Sequence, residues 1–461
     1  MRRQVILPLL LVWVINAFLS FPAKAALSEV EAGRKFSLIA PAALPLIQDN
    51  TVQQYVQKIG QRIVSGLPEP AFTYRFFVVH DPQLNAFSVP GGYIYIHSGL
   101  LLKATSSDEL AGVLGHEVAH IQNHHLVRQQ EDTYLLSIGS LAAMLLSAIN
   151  PGLGLGLAAA GQAKMMQYAR ALEEEADYRG LQYIKQAGFD PRGMPSFFKK
   201  MWQEERLSAA SIPPYFRSHP LSQERLSYIE RTLRTFDWEL PEARKGDFEL
   251  ERVQAIVHTA TESRNQMVEE YQKGVEEEPE NPQSLALLGT VLFHHRDFAR
   301  AQEHLERADR QGVDVLHELG LTYRYLGKLA LARQTFARKI EIDPQDAGAH
   351  TELAKILFQE NEDDRAREEC QQALALDPFQ DEAHYTLALI YTRMSDEAKQ
   401  RYHLGMAYVL QGRLEPALKQ FEQAAPLLAE DSDEAQATQQ KIADLTEILG
   451  SLRRQQMQRQ R

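Results

Sequence analysis

Small residues return at fixed intervals through the second half of this chain. Gly320, Ala354 and Ala388 stand 34 residues apart in succession, and so do Pro344 and Pro378. Twelve residues after Gly289, Gly320, Ala354 and Gly405 come Ala301, Ala332, Ala366 and Ala417. Nineteen after three of the four come Ala308, Ala373 and Ala424, with Lys339 the exception. Small side chains at matched offsets let two antiparallel helices pack closely, and a proline then ends each pair. Such pairs stack into a superhelix with a concave binding surface, so residues 265–449 predict an all-α array. Two intervals depart from the period. Gly289 to Gly320 is 31, which shortens one turn, and Ala388 to Gly405 is 17, where the register shifts. Beyond the array, residues 450–461 are expected to form a flexible basic tail, with Arg453, Arg454, Arg459 and Arg461 among glutamines.

Charge and the N-terminus narrow the setting. With 49 Lys and Arg against 61 Asp and Glu, the net charge of −12 leaves no basic surplus to neutralise phosphates, which excludes a nucleic-acid binder. Arg2 and Arg3 precede an apolar run from Val5 to about Phe21, and Ala23-Lys24-Ala25 fits the small-x-small rule. Residues 1–25 therefore predict an export signal cleaved after Ala25. Cys370 is the sole cysteine, so no intramolecular disulfide is available, and an exported chain of this kind must rely on core packing and metal.

Residues 26–250 mix strand-like and helix-like segments. "SSDELAGVLGHEVAHIQNHH" reads as an amphipathic helix capped by Ser106 or Ser107, with Leu110, Val113, Leu114, Val118 and Ile121 as its apolar stripe. On it His116 and His120 are one turn apart and share a face, which suits two corners of a zinc tetrahedron. Glu117 lies beside the metal rather than on it, where it can act as a base toward water. "YARALEEEADYRG" is again helical, and Glu173 and Asp177 share a face four residues apart. That spacing suits a third zinc ligand, Glu173, followed by a carboxylate, Asp177, that hydrogen-bonds the first histidine and fixes its tautomer. Tyr93–Ile96, led in by Pro90-Gly91-Gly92, is a strand by propensity, and "YRFFVVHD" is a second. An edge strand running straight into the metal helix could pair with an extended peptide and hold its scissile bond over the zinc. His97, His124 and His125 are given no role.

Together, "NAFSVPGGYIYI", "HEVAH", "EEEAD" and "RSHP" resemble the zinc metallopeptidase family that includes the prenyl-protein (CAAX) protease and the heat-shock membrane protease HtpX. The 34-residue array resembles tetratricopeptide repeats. With an export signal in front and such repeats behind, the chain is similar to the periplasmic members of that family that act in outer-membrane β-barrel assembly. The resemblance implies an α+β zincin-type metalloprotease domain, mostly helical with a small sheet, followed by an all-α tetratricopeptide-repeat superhelix. It also implies one zinc per chain on His116, His120 and Glu173, with Glu117 as general base and Asp177 as partner of His116. His219, in "RSHP", can either occupy the open metal position or stabilise the oxyanion, and the resemblance implies a latch. The implied partners are misfolded or assembling outer-membrane proteins and the β-barrel assembly machinery, reached through the repeats, with possible chaperone activity. A mainly non-proteolytic chaperone or adaptor is the alternative.

From Thr133 to Ala163 no residue is charged. Asn150-Pro151-Gly152 interrupts this stretch, and neither part alone comfortably spans a bilayer. Residues 133–163 are expected to form an apolar lid over the active-site cleft, with insertion into or peripheral contact with a membrane, or ordinary core, as the other readings.

Overall fold

The computed structural model describes residues 29–126, 128, 162–207, 214–236, 247–429 and 431–459. The expected export signal and nearly all of the 133–163 segment lie outside the described residues. Among those described, no helix is long and apolar enough to cross a membrane. The chain divides into two compact units, Met1–Leu250 with Ile448–Arg461, and Glu251–Glu447.

The first unit opens with α1 (Glu29–Ala43) and α2 (Asn50–Ser65), then β1 (Arg75–Val79), β2 (Ala86–Val89) and β3 (Tyr93–His97). The strands form one sheet in the order β1-β3-β2, with β1 parallel and β2 antiparallel to β3. Gly91 and Gly92 turn the chain between β2 and β3 at φ of 86° and 100°, a left-handed conformation that favours glycine. A Cβ on Gly92 would also stand 2.5 Å from the Thr73 carbonyl oxygen. One register row places Phe77, Tyr95 and Phe87 side by side across the sheet, stacked with centroids 5.1 Å apart on both sides of Tyr95. Phe36 of α1 meets Tyr95 edge-on and covers that face.

The order corrects one expectation. β3, the Tyr93–Ile96 strand, is the centre of the sheet and not an edge. The edge strand packed against the metal helix is β2. Nor does the strand run straight into that helix, because α3 (Ser98–Lys103) intervenes before α4 (Ser107–Gln122). All-buried strands carry the same apolar signal at the centre and at the edge, so composition could not separate them.

α4 is capped by Ser106, whose hydroxyl accepts from the Glu109 amide. It is buried on almost every side rather than amphipathic. The cause is close helix approach. Gly112 lies against the Met194 backbone in α6 (Gly193–Leu207), and Gly115 crosses Gly180 in α5 (Gln162–Gln186). A Cβ on Gly112 would be 2.6 Å from the Met194 Cα, and one on Gly180 would be 3.1 Å from the Gly115 carbonyl oxygen. This crossing brings the acidic turn of α5 over His116. α7 (Pro214–Ser218) and α8 (Gln223–Thr235) close the unit.

The second unit is the expected helical array. α9 (Phe248–His258) and α10 (Arg264–Glu277) lead into three pairs: α11 (Pro282–His294) with α12 (Phe298–Arg310), α13 (Leu316–Tyr325) with α14 (Leu329–Ile342), and α15 (Ala347–Gln359) with α16 (Asp363–Leu376). α17 (Asp381–Arg393), α18 (Glu397–Leu410) and α19 (Leu414–Ala424) follow. Gly289, Gly320 and Gly405 receive Leu305, Phe336 and Phe421 from the next helix at distances no Cβ would allow. Lys339, where an alanine is otherwise repeated, pairs with Asp314 at 2.6 Å. The 31-residue interval arises in α13, which is 10 residues long where its counterparts have 13. The 17-residue interval arises because α18 packs on both α17 and α19, ending one pair and beginning the next. The tail expected to be flexible from 450 is helical as far as Arg459, within α20 (Asp433–Arg459). Its Gln, Arg, Leu and Met residues favour a helix, and neither Gly nor Pro interrupts it after Gly450.

Candidate metal centre

α4, α5 and the segment after α7 converge at one point. His116 and His120 face each other through their Nε2 atoms, 3.0 Å apart. Glu173 brings Oε1 to 3.3 Å from His120 Nε2 and Oε2 to 3.4 Å from His116 Nε2. His219 places Nδ1 3.0 Å from Glu173 Oε1 and 3.3 Å from His116 Nε2. One donor atom from each of the four residues lies within 4.8 Å of all the others. On a tetrahedron with metal bonds of about 2 Å, neighbouring donors stand about 3.3 Å apart, so the spacing suits a small divalent cation. Nitrogen lone pairs pointed at one another also repel unless a cation or proton lies between them. Glu117 adds a further sign. It is fully buried, and neither carboxylate oxygen accepts a hydrogen bond, while His219 Nε2 stands 3.5 Å from Oε1. A buried carboxylate left in that state is costly unless a ligand or water completes it. The donor set therefore fits a metal.

Asp177, one turn after Glu173, has Oδ1 3.0 Å from His116 Nδ1. A carboxylate at that distance suits the Nδ1 proton, an arrangement that would leave Nε2 as the donor atom. Burial works against a charge on His116, yet hydrogen bonds to Asp177 and Glu173 lift the imidazole to about 9. Burial pushes His120 down to about 4. Burial also opposes the charges on Glu173 and Asp177. His219 and Arg225 hold the first well below the ordinary carboxylate range, and Arg225 and His116 hold the second below it.

Arg225 is the residue the motifs did not single out. It lies on α8, almost fully buried, and its Nε and Nη2 donate to the two oxygens of Asp177 at 2.6 and 2.8 Å. Its Nη1 stands 2.8 Å from Glu173 Oε2 and donates to the backbone oxygens of His219 and Pro220. One guanidinium thus ties the acidic turn of α5 to the "RSHP" segment. Its place six residues after His219, just inside a helix capped by Ser222, is the sequence signal available for it. Tyr215, also missed, packs its ring 4.8 Å from that of His219, and its amide donates to Leu84, just ahead of β2.

Of the histidines given no role, His97 lies buried at the end of β3, 3.7 Å from Asp81, and His124 meets Glu29 at 2.7 Å. His125 is different: it packs against His120, with their Nδ1 atoms 3.1 Å apart.

Comparison with known proteins places this geometry. The model of peptidase family M48 matches residues 48–233. Residues 48–233 are thus similar to an M48 peptidase domain. A tetratricopeptide-repeat model matches residues 324–390. A "putative beta-barrel assembly-enhancing protease" of Vibrio cholerae is 34% identical over 47% of this chain and 46% of its own length. The "beta-barrel assembly-enhancing protease" of Escherichia coli K12 is 31% identical over 43% of this chain and 42% of its own. The "mitochondrial metalloendopeptidase OMA1" of Schizosaccharomyces pombe is 31% identical over 41% of this chain and 53% of its own. The chain thus spans about half the length of the relatives it matches. The His/Glu cluster lies within the residues that match this metallopeptidase family, and the likeness implies a metal ion here.

Proposed function

We propose that this chain is a zinc-dependent endopeptidase, exported to the periplasm with its signal cleaved after Ala25, that acts on outer-membrane β-barrel proteins during their assembly. The observation that supports the chemistry is the convergence of His116, His120, Glu173 and His219 within 4.8 Å beside the unpartnered Glu117 carboxylate. His116, His120 and Glu173 would hold one zinc, which when bound supplies a Lewis acid that polarises a peptide carbonyl and acidifies water. Glu117 takes a proton from water and returns it to the leaving amine. Asp177 holds the His116 tautomer, and Arg225 holds Asp177.

His219 Nδ1, beside His116 and Glu173, would take the remaining place on the metal, which would leave no room for water or substrate and give a resting, latched state. Extended substrate pairs with β2, the edge strand packed on α4. Tyr215 already bonds Leu84 at the entrance to that strand, so seating a peptide draws the His219 segment away. The repeats dock clients and the assembly machinery. This reading agrees with the names of the two bacterial relatives.

In the full chain Glu117→Gln should keep its zinc and lose about 10²–10⁴-fold in cleavage of an unfolded outer-membrane protein. Full cellular function in that variant would make the chain a non-proteolytic chaperone or adaptor. His219→Ala should raise basal cleavage with zinc retained. Abolished turnover would instead make His219 an oxyanion stabiliser.

A further inference from the structure

α4 ends at Gln122, and the chain then turns through His124 at a left-handed φ of 52°. That turn folds the next residue back over the last turn of the helix. His125 is buried, its ring meets that of His120 at 86° with centroids 4.9 Å apart, and the two Nδ1 atoms are 3.1 Å apart. On its far side His125 Nε2 faces Glu175 Oε2 at 3.4 Å, and Arg128 donates to that same oxygen at 3.0 Å.

The proton bookkeeping along this row has one solution. His120 turns Nε2 into the donor cluster, so Nε2 must offer its lone pair and Nδ1 must carry the proton. That proton needs an acceptor, and His125 Nδ1 is in place. His125 then carries its own proton on Nε2, which makes no hydrogen bond here but faces the Glu175 carboxylate at 3.4 Å, an oxygen whose charge Arg128 balances. We infer that His125 is a positioning residue for the metal centre, fixing the tautomer and ring orientation of His120 through a Glu175–His125–His120 relay. His116 has the equivalent support directly from Asp177. One acidic turn of α5 thus serves three ends: Glu173 in the donor cluster, Asp177 behind His116, and Glu175, through His125, behind His120. An outer partner of this kind commonly changes metal affinity about 10–100-fold when removed.

The inference rests on the metal-centre reading, and one experiment separates the two. Zinc is loaded onto the full chain and its dissociation constant is measured against a chromogenic chelator. His125→Phe keeps a buried ring but has no acceptor, and should bind zinc about 10–100-fold more weakly. His125→Asn puts an amide oxygen near the position of Nδ1 and should restore most of that loss. Glu175→Leu reaches the relay from a partly exposed position, without disturbing the core, and should weaken binding in the same direction. Zinc affinity unchanged in both His125→Phe and Glu175→Leu would overturn the relay while leaving the metal centre intact. Failure of the unaltered chain to bind zinc would overturn the centre itself.

Discussion

Two facing histidine pairs, one in each unit, keep opposite company. In the first unit His116 and His120 lie among Glu173, Asp177 and Glu117. In the repeats His384 and His403 face each other, Nδ1 atoms 2.9 Å apart, and His403 stacks on Tyr391 at an interplanar angle of 10°. The charged groups that act on this second pair are Lys441 and Lys399. Burial pushes His384 down to about 4 and His403 to about 3, whereas His116 rises to about 9. Burial alone disfavours a charged imidazole, and oriented carboxylates reverse that sign. A histidine pair with convergent carboxylates can hold a cation, while one facing only aromatic rings and cations is packing.

The largest effect that tests this contrast is metal content. Glu173→Ala should lose nearly all zinc, because it removes one donor and the negative charge between two imidazoles. A His384→Ala, His403→Ala double variant should keep the full complement. Metal analysis of the two purified chains checks both. Zinc lost from the repeat variant, or kept by Glu173→Ala, would show that the carboxylates do not define the site.

The next effect concerns Arg225, the sole guanidinium that the structure shows on both Asp177 and Glu173 among the described residues. Arg225→Met should destabilise the first unit by about 3–5 kcal/mol, since it strands two buried carboxylates without their cation. The drop should appear in urea unfolding of the metal-free chain and shrink when zinc is added, because the metal restores part of the missing charge. A loss below about 1 kcal/mol would mean that water or a side-chain shift already solvates the acids.

Much of this architecture was legible without coordinates, for local reasons. An i, i+4 spacing puts His116 with His120, and Glu173 with Asp177, on single helix faces whatever surrounds them. The 34-residue period carries its own packing rule, and Gly320 against Phe336 shows that rule at work. What stayed hidden depends on contacts distant in sequence. Arg225 on a helix reads as a solvated side chain until α5 lies beside it. His125 reads as a histidine without a role, on the surface or in the core, until the turn at His124 folds it back. The centre of the sheet cannot be told from its edge because β2 and β3 are both almost wholly buried. α18 reads as a slip in register, since a helix shared by two pairs leaves only a half-period as its trace.

The smallest effect is the response of the repeat unit to acid. Above pH about 6.5 His384 and His403 are neutral whether the chain is folded or not. Below that, the unfolded chain takes up protons on both, while the folded pair resists until about 4 and about 3. The unfolded state therefore binds more protons across this window, and stability falls as pH falls. The slope is about 1.4 kcal/mol per pH unit for each histidine that titrates in the unfolded chain alone. It ends near pH 4, where the folded pair begins to protonate as well. Exposed carboxylates titrate mostly below pH 5, so the interval from pH 7 to 5.5 isolates the histidines. Hydrogen exchange of α17 and α18, corrected for the intrinsic rate, should show protection declining over that interval. His403→Phe keeps a ring for Tyr391 to stack on and should flatten the decline by roughly half. A decline of equal slope in wild type and variant would place the acid sensitivity elsewhere in the repeats. No decline at all would mean that the folded pair shares a proton readily, which would undo the contrast with the carboxylate-lined centre.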